Sequence, residues 1–396
     1  MCLALVVVLG TGTAVAQQDW RAQVDPWVLD RVEGGGTAEF LVVLGAQADL
    51  GEARLLGSKT ARGWYVYETL SGLAERTQGP VLAELERRGV PHRSYWIANM
   101  IWVRGDQGVV EAMARRSDVA RVEANPEVRM ARPMFESSGL APTAGIEPGI
   151  LTTGAPQVFW NNGIFGQGAV IGGQDTGYDW DHPALIHSYR VWDGATADHN
   201  YNWHDAIHSG GGVCGPDSPE PCDDSQHGTH TMVTMSGFDG SDNWIGMAPA
   251  AKWIGCRNMN LGNGTPTTYS ECFQWFVAPT DLDDLNPDPS RAPHVINNSW
   301  SCPPSEGCTD VDVLKTVVEN VRAAGILVVV SAGNSGSGCG SVSSPAAIYD
   351  ASFTVGATDS SDNIAGFSSR GPVTVDGSQR LKPDISAPGV SVRSSI

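Results

Sequence analysis

Three short stretches carry residue types that could do chemistry together. The first, Gly168-Ala169-Val170-Ile171-Gly172-Gly173-Gln174-Asp175-Thr176-Gly177, runs an apolar segment into a carboxylate. A buried carboxylate is costly unless it is paired, so a strand that ends on Asp175 points to a side chain at work. The competing reading is an Asx turn, because Thr176-Gly177 is good turn chemistry. The second, Gln226-His227-Gly228-Thr229-His230-Thr231, offers a histidine at a helix start with its ring turned toward a cleft. A lone histidine is more often structural, and His227 with His230 lacks the glutamate and spacing of the common zinc-protease motif. The third, Val329-Val330-Ser331-Ala332-Gly333-Asn334, is a strand running into small residues and then an asparagine. The Asn334 amide could donate to a developing oxyanion, or sit in a turn.

These residues need a frame. From about residue 150 apolar runs recur, at Ala169–Ile171, Ala251–Ile254, His294–Asn297 and Ile326–Val330. Helical stretches lie between them, notably Asp310 to Ala324. Apolar strands alternating with helices indicate a parallel α/β sheet. In such sheets working residues gather at the carboxyl ends of strands, and Asp175, Asn298 and Asn334 each follow one. Residues 17–135 form a block without cysteine. Strands are expected at Ala38–Leu44, Ser94–Val103 and Val119–Glu123, with one more near Gly63–Leu70. Helices are expected at Val81–Arg88, stopped by Gly89, and at Val109–Arg115. That is a small α+β unit. Residues 136–149, rich in Pro, Gly, Ser and Ala, read as a linker.

The chain has 396 residues and a formal net charge of -19, which argues against a nucleic-acid partner. Residues 1–16 resemble a secretory apolar core ending in Ala14-Val15-Ala16, too short to span a membrane comfortably. Export is therefore expected, with cleavage near Ala16 and no membrane span. Cys2 would leave with that segment. The other seven cysteines lie in the second half, and in an exported protein they favour disulfides. Local pairing joins Cys214 to Cys222, Cys256 to Cys272 and Cys302 to Cys308, and leaves Cys339 over. Zinc is a poor reading, because no C-x-x-C occurs. His199, His204 and His208 read as a polar loop with aromatic packing rather than metal ligands. Asp179 with Asp181, and the Asp281–Asp284 cluster, leave structural calcium as an open option.

Asp175-Thr176-Gly177, His227-Gly228-Thr229-His230 and Ser331-Ala332-Gly333-Asn334, in that order on an α/β pattern, resemble the subtilisin-like serine proteases, the S8 family. Val295-Ile296-Asn297-Asn298-Ser299-Trp300 and Lys382-Pro383-Asp384-Ile385-Ser386-Ala387-Pro388-Gly389 stand at fitting places. Gln174 to Pro183 and the ending Val392 to Ser395 look most like the bacillopeptidase F branch. The resemblance implies a subtilisin-like three-layer α/β fold with a mostly parallel sheet over residues 150–396. It also implies that residues 17–135 are a ferredoxin-like α+β propeptide that acts as an intramolecular inhibitor. Asp175 would orient His227, His227 would be the general base, and Asn334 would donate to the oxyanion. Ser299, Trp300 and Ser301 would line the substrate strand, with Trp300 shaping the wall of the first pocket. No cofactor or catalytic metal is required, and the partner is a peptide or protein substrate outside the cell.

Two departures stand out. The family's nucleophile sits in Gly-Thr-Ser-Met-Ala, and no Gly-Thr-Ser occurs in the sequence. The expectation is a secreted zymogen whose serine lies beyond Ile396, so that these 396 residues alone are inactive. The alternatives are a peptide-binding pseudoprotease that ends there and, at a distance, a metal-dependent hydrolase using the histidine-rich loop. The second departure is Val233, where the family usually has glycine. A larger side chain there is expected to crowd its neighbour at about 1–3 kcal/mol.

Overall fold

The computed structural model describes residues 19–130 and 145–395. The expected export segment and most of the expected linker lie outside these. The N-terminal region carries α1 (Pro26–Val32), β1 (Thr37–Leu44), α2 (Lys59–Arg88), β2 (His92–Tyr95), β3 (Met100–Asp106), α3 (Gln107–Ala114), β4 (Val119–Ala124) and the two-residue β5 (Val128–Arg129). Its sheet is antiparallel in the order β2-β3-β1-β4.

Two expectations for this region are corrected. The strand expected near Gly63–Leu70 is part of α2, which runs for 30 residues straight through Pro80. Gly63, Gly72 and the Gly79-Pro80 pair do not interrupt it, because tertiary packing overrides helix propensity. Ser58 caps the start by accepting from the Ala61 N–H, and Gly89 closes the end in the left-handed conformation. The single strand expected over Ser94–Val103 is a hairpin, β2 and β3, turning at Asn99 with φ 44°.

Strand β1 explains how the region sits. Side chains alternate across a strand. Phe40, Val42 and Leu44 face a core closed by Val81 and Leu85 of α2 and by α3. Leu41 and Val43 face the other way, into the core of the second region. Both faces are buried, so the run Phe40-Leu41-Val42-Val43-Leu44 is apolar throughout.

The second region follows as β6 (Gly145–Ile146), α4 (Pro148–Thr152), α5 (Ala155–Val158), β7 (Val170–Asp175), β8 (Trp203–Asp205), α6 (His227–Ser236), β9 (Asn243–Trp244), β10 (Lys252–Arg257), β11 (Met259–Asn260), β12 (Asn263–Gly264), α7 (Pro266–Val277), β13 (Val295–Asn298), α8 (Lys315–Ala323), β14 (Leu327–Ser331), β15 (Ser352–Thr358) and β16 (Ile385–Pro388). Seven of these strands form one sheet in the order β16-β15-β14-β13-β7-β10-β8. Every pairing in it is parallel. Helix α8 begins at Lys315, later than the expected Asp310, because residues 311–314 form turns. Within β10, Ile254 packs with α7 and α8 while its neighbour Trp253 packs with Met232 and Val233 of α6. Adjacent residues of one strand point to opposite faces, so helices cover both sides. The sheet is the middle of three layers.

Cys214–Cys222, Cys256–Cys272 and Cys302–Cys308 are joined as the sequence suggests, and Cys339 is exposed and unpaired among the described residues. None of the described helices is long and apolar enough to cross a membrane.

Candidate active site

Strand β7 ends at Asp175 in the middle of the sheet, with β13 on one side and β10 on the other. A ladder of buried amides ties these strands together just before that end. Gln174 Nε2 donates to Asn298 Oδ1 at 2.5 Å, and Asn258 Nδ2 donates to Gln174 Oε1 at 2.9 Å. Asn298 Nδ2 reaches on to the Val329 carbonyl of β14 at 2.8 Å. Such a network fixes strand ends more sharply than apolar contact does. Asn298 is thus a support rather than a group presented to a cleft.

Asp175 is fully buried. Its Oδ1 accepts from His227 Nδ1 at 2.7 Å and from the Thr176 N–H at 2.8 Å. Its Oδ2 has no hydrogen-bond partner among the described residues. Burial by itself would lower the pKa of His227, but the adjacent Asp175 carboxylate, with Asp223 behind it, outweighs burial and raises it. Nδ1 is committed to Asp175, and His227 Nε2 makes no hydrogen bond to a described residue. This is the state a general base needs: one nitrogen oriented by a carboxylate and the other unengaged.

Asp223, which sequence reading did not single out, holds the histidine's helix in place. Its Oδ2 accepts from the Thr229 N–H and hydroxyl at 2.9 and 2.6 Å. Its Oδ1 accepts from Thr176 Oγ1 at 2.8 Å and from the Gln226 N–H at 2.8 Å. Thr176 Oγ1 in turn accepts from the Gly228 N–H at 2.9 Å. One carboxylate therefore caps α6 and binds it to the strand end. An Asp four residues before the histidine was the available signal. The contact is so close that a Cβ on Gly228 would lie 2.0 Å from the Gly177 carbonyl oxygen. Val233, further along the same helix, is fully buried. Gly237 packs directly on it, since a Cβ there would meet Val233 Cγ1 at 2.6 Å.

Asn334 lies exposed on the loop after β14, and its side chain makes no hydrogen bond to a described residue. Trp300 is buried, its indole stacked on Tyr269 at 3.9 Å and 12°. Ser299 accepts from Asn297 Nδ2 at 3.0 Å, and the Ser301 carbonyl accepts from Tyr269 at 3.4 Å. A segment of the N-terminal region lies nearby. β5 pairs antiparallel with β12, Val128 opposite Gly264 and Arg129 opposite Asn263, and the Met130 N–H donates to the Gly262 carbonyl at 2.8 Å. Hairpin β11–β12 is tied to the turn before His227 through the Leu261 N–H, which donates to Asp224 Oδ2 at 3.0 Å.

The other histidines are differently placed. His204 and His208 both bind Oε1 of buried Glu271, at 3.0 and 2.8 Å. Glu271 Oε2 accepts from Tyr95 at 2.6 Å and Arg93 at 3.2 Å, both of the N-terminal region. His199 packs edge-on to Trp180 and bonds Tyr189 at 3.0 Å. Among the described residues no group of three or more His, Cys, Asp or Glu is arranged to hold a metal ion. In the acidic turn, Asp281 Oδ1 is taken by the Leu285 and Asp283 N–H groups.

The model of the subtilase family matches residues 166–396. The chain is 37% identical to Bacillopeptidase F of Bacillus subtilis over 323 residues, 76% of this chain and 21% of that protein. It is 37% identical to Serine protease AprX of the same species over 184 residues, 44% of this chain and 40% of that protein. It is 26% identical to Subtilisin E, also of B. subtilis, over 332 residues, 83% of this chain and 71% of that protein. The chain thus spans about a fifth of the first relative and two fifths of the second.

Proposed function

The chain belongs to the subtilase family, and from that premise we propose that it is the zymogen part of a secreted serine-type endopeptidase. The buried Asp175–His227 pair at the end of β7 carries this reading. His227 Nε2 takes the proton of an attacking serine hydroxyl and later gives it to the leaving amine. Asp175 keeps the ring in the tautomer that has Nε2 free and stabilises the imidazolium that forms. Asn334 donates to the tetrahedral oxyanion, and Ser299, Trp300 and Ser301 form one side of the peptide groove. The serine itself is not supplied by a Gly-Thr-Ser motif within these 396 residues.

The N-terminal region is the propeptide and inhibitor in this reading. Its sheet order, read backwards as β4-β1-β3-β2, with α2 and α3 packed on one face, supports a ferredoxin-like unit. The strand Val128–Met130, hydrogen-bonded to the hairpin beside His227, lies as a bound peptide would.

The test is hydrolysis of a fluorogenic peptide by protein made from the whole reading frame that encodes these residues, with and without diisopropyl fluorophosphate. We expect hydrolysis, labelling of one serine, and loss of both in His227→Ala. Hydrolysis that survives His227→Ala, or a product that neither cleaves peptide nor takes the label, would overturn the reading.

A further inference from the structure

The bound strand Val128–Met130 has two sides, and only one is occupied by the hairpin. N–H groups of an extended strand point alternately left and right. Met130 donates to Gly262, and Val128, two residues earlier, stands opposite Gly264 on that same side. Arg129 points the other way. Its N–H donates to Glu306 Oε2 at 3.0 Å, across 177 residues of sequence. No backbone hydrogen bond joins residues 299–301 to this strand among the described residues. The acceptor on that side is a carboxylate.

Glu306 is held firmly. It ends the single 3-10 turn Pro304–Glu306 inside the loop closed by Cys302–Cys308. The Cys302 N–H donates to Ser344 Oγ at 2.8 Å. Gly307 follows at φ 106°, where a Cβ would meet Trp27 and Pro126. We propose that Glu306 is a substrate-binding residue. Its carboxylate takes the N–H of the residue one before the strand's last hairpin contact, and its charge selects Lys or Arg over Asp or Glu there. A carbonyl would accept the same bond without that preference. No salt bridge joins the Arg129 side chain to Glu306 among the described residues, so the preference acts through the field of a half-buried carboxylate bonded to that residue's own backbone. The proposal rests on the reading that this groove takes extended peptides.

Amide-resolved hydrogen exchange on the full chain tests it. In the wild type the Arg129 and Met130 amides are expected to be protected. Glu306→Ala should speed Arg129 exchange at least about tenfold and leave Met130 within about threefold. Glu306→Gln, which keeps an acceptor, should retain most of the Arg129 protection. Arg129→Glu should loosen all of 128–130, and adding Glu306→Lys should restore the protection of Met130 but not that of the residue 129 amide, since an ammonium offers no acceptor. Unchanged Arg129 exchange in Glu306→Ala, or no restoration by the charge swap, overturns the role of Glu306. Free exchange of both amides in the wild type overturns the groove reading itself, and this proposal with it.

Discussion

Among the described residues lie two histidine–carboxylate clusters whose atoms are almost equally spaced. At the end of β7, His227 meets Asp175 at 2.7 Å. At the boundary with the N-terminal region, His204 and His208 meet Glu271 at 3.0 and 2.8 Å. The difference is in the second nitrogen. His227 Nε2 makes no hydrogen bond to a described residue, whereas His204 Nδ1 faces Asp284 at 3.3 Å and His208 Nδ1 faces Asp217. A ring with a carboxylate on each nitrogen donates from both only as the imidazolium. Burial opposes that charge on His204, but hydrogen bonds to Asp284 and Glu271 overcome it and raise its pKa to about 9. Such a ring cannot take a proton at neutral pH. It holds a docking surface together instead, and it lines a cavity of about 650 Å³ with Arg93, Trp96 and Trp275. Proximity of His to a carboxylate is therefore a poor marker of catalysis, and one unengaged nitrogen is a better one.

The sharpest way to break this contrast is to remove each ring from protein made from the whole reading frame that encodes these residues. His227→Ala should lower kcat by about 10⁶-fold, while His204→Ala should change kcat by no more than about threefold. Comparable losses would end the distinction. Asp175→Asn should cost about 10⁴-fold in kcat and move the acid limb of kcat/KM downward, since His227 would lose the charge that raises it. An acid limb that stays put would show that Asp175 does not set the base. Both magnitudes come from subtilisin and trypsin, not from this chain.

The docking cluster answers to pH in thermal unfolding. His204 is raised above its ordinary value, so its contribution is complete below about pH 6.5 and is lost as pH rises through about 9. The stability gap between wild type and His204→Gln should shrink by about 3 kcal/mol from pH 6 to pH 10. A constant gap would deny the charge on His204. The smallest effect concerns packing alone. Gly228→Ala should lower stability by about 1–3 kcal/mol, because its Cβ would press on the Gly177 carbonyl. An unchanged melting temperature would mean that α6 is less tightly bound to β7 than its hydrogen bonds indicate.

Much of this was legible in sequence where the physics is local. Apolar runs ending on Asp175 and Asn298 gave the strands, and the three cysteine pairs close loops with separations of only 8, 16 and 6 residues. The local reading failed in α2, where the strand expected near Gly63–Leu70 is helix, with Val66 and Leu70 anchored in one core and Val81 and Leu85 in another. What stayed hidden was long-range. Glu306 matters through a backbone 177 residues away, and Gln174 through an amide 124 residues on. Spacing along the chain says nothing about such partners. Trp300 is a further case, since its indole is stacked on Tyr269, a partner that no local spacing signals.

Strand β1 is apolar on both faces, which gives separation of the two regions a direction in time. While docked, Leu41 and Val43 are covered, together with Tyr95, Ile97 and Met100. Once apart, the N-terminal region would carry that stripe bare into water, alongside the edge strand β2. Such a surface invites self-association and degradation faster than it finds its old partner. On the proposed reading of this region as an inhibitor, undocking would then work as a ratchet, each molecule leaving the latent state once.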